Sequence, residues 1–120
     1  KSAYISKLDD DTIKLVFKPG ALLVKEEYVT LFGHYKEIIG RDHDIKFLII
    51  VHEGFKMEQR YLQFFKKEYR TDFKKAEAYI IRNPSSRMFF KVGIQLVPHH
   101  YEAKLFDKET DAIEWLRRIK

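Results

Sequence analysis

Asp44-Ile45-Lys46-Phe47-Leu48-Ile49-Ile50-Val51-His52-Glu53-Gly54 is the stretch whose reading decides the fold. Phe47 to Val51 are five consecutive bulky or β-branched apolar residues with no polar alternation. A strand that alternates shows one face to water. A strand that does not is buried on both faces, and such strands are mostly parallel and covered by helices. The run falls well short of the ~20 residues that a membrane-spanning helix needs, and Gly54 closes it.

The elements on either side fit layers built on that strand. Upstream, Ala3 to Leu8 alternates apolar and polar, Asp9-Asp10-Asp11 supplies a turn, and Thr12 to Lys18 alternates again with Ile13, Leu15 and Phe17 on one face. Two such runs around an acidic turn predict an antiparallel hairpin, which Pro19-Gly20 ends. Lys25 to Ile39 carries apolar residues at helical spacing, with Gly40 placed as the C-terminal stop.

Downstream, Glu53 to Lys56 reads as an exit loop and Met57 to Tyr69 as a second helix lined by Tyr61, Phe64, Phe65 and Tyr69. Lys75 to Arg82 is a strand. Asn83 and Pro84 suit the N-cap and first turn of a third helix, whose stripe is Met88, Phe89, Val92 and Leu96. Tyr101 to Phe106 is a last strand, and Asp107 is the expected cap of a final helix, Lys108 to Lys120. The expected fold class is therefore α/β. An N-terminal β-hairpin is followed by αβαβαβα, giving a mixed five-stranded sheet with a parallel core and four helices in one domain, residues 1–120.

Composition narrows the chemistry. The chain has 120 residues, 45% of them hydrophobic, which is enough for a core without staples. It has no cysteine, so disulfides, thiolate catalysis and thiolate-bound zinc are excluded. Net charge is +5, from 23 basic and 18 acidic side chains that are mostly interleaved, a mild attraction to anions and not a polycationic tail. Lys1-Ser2-Ala3 starts no signal-peptide pattern. A soluble cytoplasmic protein is the expectation.

The order of elements resembles a STAS domain, the fold of bacterial anti-sigma-factor antagonists, and in style its divergent STAS/SEC14-like branch. The likeness is carried by the C-terminal half. There the strand ending Tyr79-Ile80-Ile81-Arg82-Asn83 leads into an amphipathic helix, and Lys104-Leu105-Phe106 runs into Asp107-Lys108-Glu109-Thr110-Asp111-Ala112-Ile113-Glu114-Trp115-Leu116. The best-known members carry an Asp-x-Ser-Gly-type turn after the central strand, whose hydroxyl is phosphorylated. This chain reads His52-Glu53-Gly54-Phe55-Lys56 there, with no hydroxyl, so that switch is not carried over. The resemblance implies a regulatory, protein-binding or small-ligand-binding domain without chemistry of its own.

Ligands of open β/α sheets bind outside the carboxyl ends of the strands. Two loops qualify, around His52-Glu53 and around Asn83-Pro84-Ser85-Ser86-Arg87. Asn83, Ser85, Ser86 and Arg87 offer a helix N-terminus, hydroxyls and a guanidinium to a phosphate or carboxylate, although plain helix capping asks for the same residues. His52 beside Glu53 is an acid–base pair in composition, but no nucleophile or third orienting residue accompanies it, so hydrolase-like use ranks last. Asp42, His43, Asp44, His99 and His100 lack metal-ligand spacing, and no metal or cofactor is expected. Lys66, Lys67, Arg70, Lys74 and Lys75 are too sparse to predict nucleic-acid binding. The third helix is apolar nearly all round, with Phe89 and Phe90 adjacent, which suits a partner or dimer surface. The expected role is a non-enzymatic interaction domain using Phe90, Arg87 and the loop around Glu53. A binder of a small anionic or lipid-like ligand is the alternative.

Overall fold

The computed structural model describes residues 3–41, 44–57, 74–82, 84, 87–88, 91 and 102–119. Strand β1 (Ala3–Asp9) turns back into β2 (Thr12–Phe17) as the expected antiparallel hairpin. The turn is shorter than the three aspartates suggest. A bulge between Lys7 and Asp9 brings Asp9 opposite Thr12, which leaves two residues, Asp10 and Asp11, to reverse the chain.

A two-residue strand, β3 (Leu22–Leu23), precedes helix α1 (Lys25–Ile39). The helix matches its expected bounds, and Gly40 ends it in the left-handed conformation, donating its N–H to Lys36 O. Strand β4 (Ile45–Val51) follows, then β5 (Lys56–Met57), β6 (Lys74–Ile81), β7 (Glu102–Phe106) and helix α2 (Glu109–Arg118).

The main sheet has the order β1-β2-β4-β6-β7, and every pairing beyond the hairpin is parallel. The central strand is β4, and all seven of its residues are buried. Its alternate side chains serve two cores. Phe47, Ile49 and Val51 join Ile13, Leu15, Phe17 and the α1 residues Leu31 and Tyr35, with the Tyr35 ring edge-on to Phe47 at 4.8 Å. Leu48 and Ile50 join Ala76, Ala78, Ile80 and the α2 residues Ala112 and Leu116. A strand with no polar face is thus covered on both sides, and burying each large side chain contributes about 1.5–3 kcal/mol.

Two expectations change. Met57 does not begin a helix. Lys56–Met57 lies parallel to Leu22–Leu23 in a separate two-stranded sheet, with the Lys56 N–H on Ala21 O at 2.8 Å. Two helices are described where four were expected. Of the third, Pro84, Arg87, Met88 and Lys91 are helical, and the remainder of the second and third lies outside the described residues.

Candidate functional site

Parallel strands give the sheet two unlike ends. At the carboxyl end Phe17, Val51 and Ile81 are register partners on the neighbouring strands β2, β4 and β6. The next residue of each strand is Lys18, His52 and Arg82. The ladder extends one bond further, from the Arg82 N–H to Val51 O at 2.9 Å, which holds Arg82 beside the His52 strand. On the other side the Gly20 N–H donates to Glu53 O, also at 2.9 Å.

The two loops touch backbone to backbone. Gly54 has φ +79°, and a Cβ there would lie 3.1 Å from Gly20 Cα and 3.2 Å from Gly20 N. Neither obstacle is a side chain that can swing away. With the β3–β5 pairing and Phe55 buried against Phe17 at a ring distance of 4.8 Å, the exits of β2 and β4 form one platform. His52 is half-buried on it and Glu53 is exposed. The described residues leave three large apolar side chains in solvent, Tyr4 (64% exposed), Leu22 (50%) and Met88 (64%). Tyr4 is opposite Val16 near the end of β2, Leu22 pairs with Lys56 beyond the end of β4, and Met88 follows Arg87, whose partner Asp107 comes directly after β7.

The sequence-predicted site residues divide. His52, Glu53 and Arg87 are on this end. Asn83, Ser85, Ser86 and Phe90 lie outside the described residues. Among the described residues no hydrogen bond joins His52 to Glu53 and none orients the imidazole. Arg87 is already occupied: its Nη2 is 3.1 Å from Asp107 Oδ1. That pair also corrects the expected cap of α2. The N-cap is Lys108, without a side-chain hydrogen bond, because the Asp107 carboxylate turns to Arg87. Lys18 and Arg82 were missed as site residues. Their alignment depends on parallel register between strands far apart in the chain.

At the amino end the charges face one another. Lys46 lies within β4 and is only 5% exposed. Its Nζ donates to Leu116 O at 2.9 Å and Ile119 O at 2.5 Å, carbonyls of the last turn of α2. It also stands 3.4 Å from Asp11 Oδ2. A cation there complements the negative end of the helix dipole. It adds a second donor to Leu116 O, which also accepts the Ile119 N–H at 3.2 Å, and a donor to Ile119 O, just past the helix at the C-cap. Burial pushes the Asp11 carboxyl up, but the Thr12 hydroxyl and the Lys46 ammonium outweigh it and hold the group below its ordinary value. Arg117 reaches Asp9 at 3.1 Å and Lys7 reaches Asp10 at 3.9 Å. These residues and Arg41 line an open depression of about 790 Å³.

A third polar group is buried under the sheet. Lys74 Nζ is 2.6 Å from Glu77 Oε2, and the Tyr79 hydroxyl donates to Glu77 Oε1 at 2.5 Å. Burial pushes the Lys74 ammonium down, against the pull of Glu77. The irregularity between Ile45 and Lys46 lets residues three apart on β6 face the same way. Among the described residues no group of three or more His, Asp or Glu is placed to hold a metal ion, and no helix is long and apolar enough to cross a membrane.

Residues 6–120 match a family model described as Domain of unknown function (DUF7793). Among solved structures, the chain is similar to a crystal structure of an uncharacterized protein from the DUF3478 family with a SpoIIAA-like fold, from Shewanella loihica PV-4. The TM-score is 0.64 at 20% identity, covering 95% of this chain and 91% of that one. No curated protein matches. The likeness establishes the fold, a SpoIIAA-like and hence STAS-like α/β domain.

Proposed function

The chain belongs to the DUF7793 family, and from that premise we propose that it is a non-enzymatic STAS-like interaction domain of the bacterial regulatory kind, which binds a protein through the carboxyl end of its parallel strands. One observation carries this reading. Tyr4, Leu22 and Met88, large and apolar, stand in solvent at that end, beside a platform fixed by the Gly20–Glu53 hydrogen bond and the contact of Gly20 with Gly54. Exposed apolar side chains beside a rigid base are what an interface core uses. The turn His52-Glu53-Gly54-Phe55-Lys56 has no hydroxyl, so control at this turn comes from binding and not from its phosphorylation.

The test is photo-crosslinking in cells, with a benzophenone amino acid at Leu22 or Met88 and a control at Thr30, exposed on α1. Discrete adducts at Leu22 and Met88 but not at Thr30 are expected. An adduct of twice the chain's mass identifies a second copy as the partner. The absence of discrete adducts at either position, or equal labelling at Thr30, rules the reading out.

Arg82, exposed and without an acidic partner among the described residues, favours a second reading, a small anionic or lipid-like ligand at the same edge. A thermal-shift screen of inorganic phosphate, nucleotides and fatty acids checks it. A stabilising compound that loses its effect in Arg82→Ala supports this reading, and no stabilisation by any of them rejects it.

A further inference from the structure

The geometry points to an acidic protein segment, one that mixes carboxylates with apolar residues, as the partner of the carboxyl edge. This rests on the reading of that edge as the interaction surface and adds the chemistry of what it binds. Lys18 and Arg82 flank His52 in one row, each a single residue past the aligned partners Phe17, Val51 and Ile81. Neighbouring strands are about 4.8 Å apart, so Lys18 and Arg82 emerge about 10 Å from each other. Lys108, two residues past the end of β7, adds an exposed cation on the next strand.

What sets these three cations apart is their shared level just past the strand ends, together with the absence of an ion pair at each among the described residues. Lys7, Lys14, Lys46, Lys74 and Arg117 each face a carboxylate. Lys18, Arg82 and Lys108 face none among the described residues. The Lys18 ammonium instead lies 4.7 Å from the centre of the exposed Tyr4 ring, which keeps the charge at the surface and spreads the aromatic face beside it. Of the acids at this end, Asp107 is taken by Arg87 and Glu109 by Lys14. Neither Glu26 and Glu27 in the first turn of α1, Asp111 in the first turn of α2, nor Glu53 pairs with Lys18, Arg82 or Lys108 among the described residues. A row of cations without direct ion pairs among the described residues therefore stands at this end, with Tyr4, Leu22 and Met88 exposed beside it.

That mixture selects among anions. A nucleic acid presents a continuous line of phosphates and rewards a stacking platform with a dense basic groove, whereas this edge has three spaced cations and one aromatic ring, already covered by Lys18. A lipid surface asks for a larger basic cluster or an amphipathic helix. An extended peptide advances about 3.3 Å per residue, so carboxylates two or three positions apart reach the row while the residues between them meet the apolar rim. Complementary charge of this kind chiefly raises the association rate and the selectivity.

The experiment is fluorescence anisotropy of the full chain with a labelled twelve-residue peptide alternating Glu and Leu. The competitors are the same peptide with Lys for Glu, oligothymidine of equal length, and phosphatidylserine–phosphatidylcholine vesicles. Binding of the Glu peptide at least tenfold tighter than any competitor is expected, weakening as salt rises. Lys18→Glu/Arg82→Glu should reduce it tenfold or more, while Lys36→Glu/Arg118→Glu, the same change in charge elsewhere on the surface, leaves it within twofold. Lys18→Gln/Arg82→Gln serves if the reversal disturbs the circular dichroism, with a smaller loss expected. Equal binding of the Lys peptide, tighter binding of oligothymidine or vesicles, or equal loss in the control pair overturns the inference. Crosslinks at Leu22 that survive the charge reversal would leave the edge in place as an interface and reject the acidic partner alone.

Discussion

The two ends of the sheet hold their central cations differently. At the amino end Lys46, Arg117 and Lys7 are each matched to an aspartate of the hairpin turn, and Lys46 in addition holds the last carbonyls of α2. At the carboxyl end Lys18 and Arg82 have no carboxylate among the described residues. The difference teaches where each end spends its charge. Matched charge, buried at Lys46 and exposed at Arg117 and Lys7, ties a helix and a hairpin to the central strand. Unmatched charge beside exposed apolar groups adds little to folding and is available to a partner. Changes at the first end should therefore read out in stability, and changes at the second in binding.

The largest effect is expected from Lys46→Met. It removes the charged donor shared by Leu116 O and Ile119 O and leaves Asp11 without its cation, and hydrogen bonds to charged groups in such settings are each worth about 1.5–3 kcal/mol. A loss of about 3 kcal/mol in urea unfolding is expected, with faster amide exchange in 109–118 than in α1. A loss below about 0.5 kcal/mol, the range of ordinary surface substitutions, would dissolve the distinction between the ends.

Gly54→Ala comes next. It combines a positive φ with a Cβ placed against the Gly20 backbone, and about 2 kcal/mol is expected from strain and collision together. Gly40→Ala, with φ +86° but open space around it, should cost about 1 kcal/mol. Equal losses at the two glycines would mean that the carboxyl-end loops are not packed as closely as described.

A smaller effect concerns pH. Folding holds the Asp11 carboxyl below its ordinary value of 3.8. The stability this supplies is complete above the unfolded-chain value and is lost as pH falls through the lower folded one. Unfolding measured between pH 5 and 2 should show a shallower acid decline in Asp11→Asn than in the parent. An unchanged slope would detach Asp11 from Lys46. Smallest of all, Lys18→Glu/Arg82→Glu should alter stability by no more than about 0.5 kcal/mol, as exposed positions without partners do.

How much was legible in the sequence follows from how local each signal was. The central strand, α1 with its Gly40 stop, and the hairpin were readable, because each is written in a contiguous pattern of apolar residues and breakers. The β3–β5 pairing was not, since two residues carry no period and Leu22 meets Lys56 only in three dimensions. Asp107 looked like a cap by position, and a guanidinium from the preceding crossover took it. Lys46 was a signal passed over: a lysine inside a strand buried on both faces must find oxygen atoms, and here it finds them at the end of α2. At the candidate site His52 and Glu53 were found from the end of the apolar run. Lys18 and Arg82 were not, because register between strands thirty residues apart is set by packing and leaves no mark in either strand alone.

The most direct test of the division between the ends is a backbone NMR titration of the full chain with the Glu/Leu peptide. Progressive shifts at Lys18, Gly20, His52, Glu53 and Arg82 are predicted, with Lys7, Asp10, Arg41 and Arg117 unmoved. Shifts concentrated at those latter residues, or no saturable shifts at the carboxyl edge, would contradict the account.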